Sequence, residues 1–192
     1  MNNPEYVKIG DKKYKINTDF RVAIRCNEVA MDTDIDDIER ALGIICLLYG
    51  EDGLKDSKNW QKLLDLGIKY LSLNKQRENK SQDKVDMDYT EDMDYIEASF
   101  MSDYGIDLSN TSMHWWKFSK LINGLSNSEM GNCCILNRVR NIRNMDLSKI
   151  SDSKERQRIK EAQEELALKR NKKQPSKEEQ ENNEEFLKLL GL

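Results

Sequence analysis

The chain has 192 residues, 38% hydrophobic and 34% charged, with a net charge of −4. That size suits one domain with a modest core and most of its charge on exposed faces, and the mild acidity disfavours a general nucleic-acid binder. Nine Gly and two Pro are too few for a loop-rich sandwich or barrel. A mainly α fold is predicted: a helical bundle of six to seven helices with a small N-terminal β-hairpin.

The hairpin is written at 6–16, YVKIGDKKYKI, where alternating apolar residues flank a Gly-Asp-Lys turn. A lone hairpin is marginal in water, so it must lie on helices. Thr18 or Asp19 caps a helix bearing Phe20, Ala23, Ile24, Asn27 and Val29. In MDTDIDDIERALGIICLLYG, Asp34 suits an N-cap. The apolar face there is broad, with Ile35, Ile38, Ala41, Leu42, Ile45, Cys46 and Leu48, and Gly50 and Gly53 close the helix. A third helix follows Ser57 and carries Trp60, Leu63, Leu64, Gly67, Ile68, Leu71 and Leu73. Gly67 in mid-helix costs roughly 1 kcal/mol against Ala, which a close helix crossing would explain, and so would mere tolerance.

Residues 74–88 hold little that can be buried and read as an exposed connector. The next stretch, Asp94 to Leu125, is the most informative. Two helices, roughly 90–104 and 112–125, are spelled around a turn in which Gly105 supplies a left-handed stop, Asp107 and Ser109 form turns and Ser112 caps. Trp115 and Trp116 are adjacent, and neighbours on a helix point about 100° apart. Either two layers close on this helix, or one indole is kept for a partner. Ser128 is expected to cap a helix running to about Asn144, and a long charged helix with a narrow apolar stripe is expected from Asp152 to about Lys172. Pro175 ends it, and an acidic tail finishes FLKLLGL. The predicted organisation is one α-helical domain over 1–173, open to subdivision at 74–88, and a flexible or docking tail over 174–192.

Little in the chain signals catalysis. His114 is the only His and reads as a helix-start residue whose ring makes a hydrogen bond. Nothing marks a nucleophile elbow or a Gly-rich phosphate loop, so no catalytic residue, metal ligand or cofactor is expected. The acidic run from Asp83 to Glu97 lacks the Gly and terminal Glu of a calcium loop and reads as a solvated loop or a charged docking patch. Over 137–173, twelve Lys or Arg against six Asp or Glu leave a local excess of +6. That segment suits nucleic acid, an acidic partner, or pairing with the chain's own acidic run. Four Cys without CxxC or Cys/His spacing read as free buried thiols of a reducing cytosol. The longest apolar run, Ile44 to Tyr49, is far below a membrane span, and the N-terminus lacks a signal core.

DYGIDL followed by HWWKF and an NGLS turn resembles a family of tail proteins from long-tailed bacteriophages of Gram-positive hosts, called after gene product fifteen of its type phage. The match lies at Asp94–Tyr95, Ser99–Phe100, Asp103 to Leu108, His114 to Phe118 and Asn123 to Ser126. Its landmarks here are Asp103, Tyr104, Gly105, His114, Asn123 and Gly124. The family is encoded beside the tape-measure gene and regarded as a tail-assembly chaperone. The resemblance implies a non-enzymatic protein of the bacterial host cytoplasm, binding the tape-measure protein and other tail-assembly proteins without a nucleotide. Nucleic-acid binding or a structural place in the tail is the alternative. Trp115, Trp116 and Phe118, with Phe186, Leu187 and Leu190 of the tail, are the partner-binding candidates. Narrow stripes at 155–170 and 186–190 also suit self-association.

Overall fold

The chain opens with an antiparallel pair, β1 (Tyr6–Ile9) and β2 (Lys12–Lys15), joined at Gly10 and Asp11. Gly10 takes φ 58°, the left-handed conformation that two-residue hairpin loops require. The computed structural model describes residues 3–75, 85–127 and 133–171. Among them are seven α-helices and this one hairpin, the architecture the pattern predicts. The chain divides into two units, Met1–Asp83 with Asp88–Arg138, and Lys84–Met87 with Val139–Leu192.

In the first unit α1 (Phe20–Met31) is capped by Asp19, whose carboxylate accepts from the Arg21 amide. It buries Phe20, Ala23, Ile24 and Cys26. Helix α2 (Asp37–Leu54) starts at Asp36, not at the expected Asp34. Asp36 has Glu39 three residues on, so the two form a reciprocal capping box. Asp34 instead donates its amide to the Asp32 carboxylate. Ile44, Ile45, Leu48 and Tyr49 are buried along α2, and Gly50 kinks it with φ 61°. The apolar face is narrower than expected. Cys46 is exposed because it lies two positions from both Ile44 and Leu48, on the far side of the helix. Ile38, in the first turn, is 68% exposed.

Beneath the hairpin, the Asn17 amide donates to the Leu48 carbonyl at 2.8 Å, and Tyr14 is buried edge-on to Tyr49. A short 3-10 turn (Ser57–Asn59) leads into α3 (Trp60–Leu71). At Gly67 α3 comes close to α2: a Cβ there would stand 2.8 Å from Leu48 Cδ1. Helix α4 (Met93–Tyr104) ends on Gly105 at φ 65°, with returning amides to Met101 and Phe100. Asp107 then accepts from the Ser109 amide at 2.9 Å and turns the chain toward α5 (Trp115–Asn123).

Helix α6 (Ile135–Asn144) begins after Cys133 and Cys134, later than the pattern suggested. Cys133 is held in an isolated bridge with Asn127, extended backbone that precedes the helix. Ser128 lies outside the described residues. At the start of α6 the buried Ser99 hydroxyl accepts the Leu136 amide at 3.0 Å, and the Asn137 side-chain amide donates to the carbonyls of Leu125 and Ser126.

The second unit holds α7 (Ser153–Glu165), which starts where the pattern places it and is capped by Asp152. It stops well short of Lys172. Leu166 ends it because the Arg143 guanidinium takes the Leu166 carbonyl at 2.7 Å, and Leu168 turns inward to burial. Asp86 is the other anchor. Its carboxylate meets Arg140 at 3.2 Å and the Asn144 amide at 2.9 Å, and its carbonyl accepts from Arg143 at 2.9 Å. Arg140 and Arg143 of the basic segment thus engage Asp86 of the acidic run, in line with the self-pairing reading of that segment.

Candidate partner-binding cleft

His114, Trp115 and Trp116 are fixed by the chain before the helix. The Phe20 amide donates to the Met113 carbonyl and the Trp115 amide to the Thr18 carbonyl, at 2.9 and 2.7 Å. This bridge holds His114 extended at φ −63°, ψ 135°, the backbone an N-cap needs. The His114 ring therefore caps α5: Nδ1 accepts from the Trp116 amide at 3.0 Å, and Nε2, left as the protonated nitrogen, donates to the Pro4 carbonyl at 3.0 Å. Ser112 was the expected cap, but its hydroxyl donates to the Asp19 carboxylate instead.

The two indoles do reach different surroundings, yet both finish at the same helix end. Trp115 Nε1 donates to the Leu71 carbonyl and Trp116 Nε1 to the Tyr70 carbonyl, each at 3.0 Å. The last carbonyls of a helix lack intrahelical partners, so α5 caps α3. Trp115 is 6% exposed, whereas Trp116 is half-buried and stacks on Tyr70. Phe118 is fully buried and packs its ring against those of Phe20, Phe100, Trp115 and Tyr89. It is the centre of the aromatic core. Phe186, Leu187 and Leu190 lie outside the described residues.

The remaining landmark residues join helix ends. Asp103 accepts the Ser126 amide at 2.7 Å, and that bond holds its carboxyl below the usual carboxylate range. Tyr104 donates its hydroxyl to the Leu121 carbonyl at 2.8 Å. Gly124, the C-cap of α5, lets Tyr104 come close: a Cβ there would sit 3.0 Å from the phenol oxygen. Asn123 turns its amide back to the Ser119 carbonyl.

A cleft of about 380 Å³ opens between α1, α2 and α3, with Trp115 and Tyr89 on its wall. Small residues floor it, Ala23 and Ala30 from α1 and Ala41 from α2, while Leu64, Ile68 and Leu71 line the α3 side. Ile68 stays 45% exposed. At one end stand Asp37 and Arg40, paired with each other. Cys26 also lines the cleft, and burial pushes its thiol up to about 12, far from a reactive thiolate. Such a cavity suits apolar side chains with a charged group at one end. Among the described residues no group of three His, Cys, Asp or Glu is placed to hold a metal ion, and no helix is long and apolar enough to cross a membrane.

Sequence reasoning singled out the aromatics and missed this cleft. Ala23 and Ala30, seven apart on one helical face, were its only visible signal, and small residues there read equally well as close packing. Compared with known proteins, the model of the family described as Bacteriophage Gp15 protein matches residues 2–168. No curated protein and no solved structure matches the chain.

Proposed function

Because the chain belongs to the Bacteriophage Gp15 protein family, we propose that it is a non-enzymatic tail-assembly chaperone, holding apolar helical seams of the tape-measure protein in the host cytoplasm until the tail tube encloses them. The observation that carries the reading within the molecule is the open apolar cleft walled by Trp115. A very long helical client exposes seams that would otherwise self-associate, and a binder covers them by helix-in-groove contacts. Tail-tube subunits that compete for the same seams release the client without a nucleotide. The nucleic-acid alternative is weakened because Arg140 and Arg143 are engaged by Asp86 and Leu166.

Co-expression with the tape-measure protein tests this. The client should stay soluble and co-purify with the chain. A client that is equally soluble alone, or that never co-purifies, would refute the proposal.

A further inference from the structure

The α1–α2 turn beside the cleft is strongly acidic. Residues 32–40 read DTDIDDIER: five carboxylates against Arg40, a local charge of −4. Asp37, which lines the cleft, leaves its side chain 98% exposed although it pairs with Arg40. Arg40 is itself folded back on this turn, donating to the carbonyls of Asp32 and Ile35 at 2.6 and 3.1 Å. Arg40 also lines the cleft, but its guanidinium is already engaged by these two carbonyls and by Asp37, so the other four carboxylates of the turn keep their charge unmatched by it. The N-terminal dipole of α2 offsets part of the negative charge, and the rest faces water. Exposed apolar residues accompany it, Ile38 in this turn and Ile68 on the α3 side of the cleft.

Resting on the chaperone reading, we propose that the α1–α2–α3 cleft takes an amphipathic client helix whose apolar stripe is flanked by Lys or Arg. The stripe lies along Ala23, Ala30, Ala41 and Ile68. The flanking cations meet Asp37, which lines the cleft, and the exposed Asp34 of the adjoining turn. Charge complementarity of this kind selects partners and speeds their encounter, and salt screens it.

Calorimetric titration of the full chain with three synthetic amphipathic peptides tests the proposal. They share one apolar stripe and are flanked by Lys, Gln or Glu. At low salt the Lys peptide should bind about tenfold more tightly than the Glu peptide, and the gap should close as salt is raised. The D34N/D37N variant should narrow that gap, leaving the capping Asp36 intact. Ile68→Asp, at an exposed position, should weaken all three peptides without changing the circular dichroism. Equal binding of the Lys and Glu peptides overturns the proposal. So does unaltered binding by Ile68→Asp, or a dimer that Ile68→Asp dissociates, which would make a second copy the occupant. Tape-measure capture by the Ile68→Asp variant would remove this cleft and leave the chaperone reading standing. Lys-peptide binding without tape-measure capture would do the reverse.

Discussion

Trp116 stacks on Tyr70, ring centroids 6.1 Å apart, and donates its indole N–H to the carbonyl of that same residue at 3.0 Å. Trp115 makes the matching bond to Leu71. Replacing either indole by Phe keeps a ring and removes the donor, so each variant should lose about 1 kcal/mol. Trp115→Ala should cost about 3–5 kcal/mol because it also empties a buried site. Trp116→Ala should cost less, since that ring is half-exposed. Urea denaturation followed by circular dichroism gives all four values, and an equal loss for the two Ala variants would contradict the burial order.

At Gly67 two effects oppose each other. Ala there gains roughly 1 kcal/mol of helix propensity, but its Cβ would come within 2.8 Å of Leu48 Cδ1. Overpacking costs about 1–3 kcal/mol. Leu48 is fully buried and its carbonyl already holds the Asn17 amide, so it has little room to give. Gly67→Ala should therefore lower stability by about 1 kcal/mol. A gain in denaturation midpoint would mean that Leu48 repacks freely.

The free thiols should separate cleanly under alkylation. Cys46 is exposed and should react in the native protein. Cys26 is buried, with its thiol raised to about 12 by desolvation, and should react only when the first unit opens. Timed iodoacetamide labelling read by peptide mass spectrometry checks the order. Early modification of Cys26 would show that the cleft breathes widely.

Acid should act through Asp56. Hydrogen bonds from Tyr14, then Lys12 and Asn59, hold its carboxyl at about 2. An unfolded Asp titrates near 3.9 or so. The folded state therefore binds its proton later, and the contribution is present above about pH 4 and lost as pH falls toward 2. Asp103, lowered chiefly by the Ser126 amide, works in the same direction. Asp56→Asn should flatten the fall in stability over that acid range, and denaturant midpoints at successive pH values measure it. An unchanged acid limb would show that the Tyr14–Asp56 contact contributes nothing.

Helix existence was legible throughout because the apolar period is local. Gly105 was legible as a cap for the same reason, since it acts on its own turn. Asp34 suited the cap of α2 by residue type alone, but it is Asp36 that has Glu39 three residues on and completes a capping box. His114 was legible as a helix-start residue with a bonded ring, but that it and not Ser112 caps α5 depends on the bridge to Asp19, ninety-odd residues away in sequence, which no local pattern encodes. The cleft was hidden for a related reason. Periodicity shows which side of α1, α2 or α3 is apolar, but whether a neighbour covers that side depends on how far apart the helices settle, as Ile68 illustrates.

All three tryptophans lie in the first unit, and Trp60, like the other two, donates its indole N–H to a main-chain carbonyl, that of Leu54. Their ultraviolet emission is consequently a built-in gauge of the first unit, since the Val139–Asn171 segment contains no tryptophan. An unfolding curve read at that wavelength, laid over one read from backbone ellipticity, separates the two units without any engineered label.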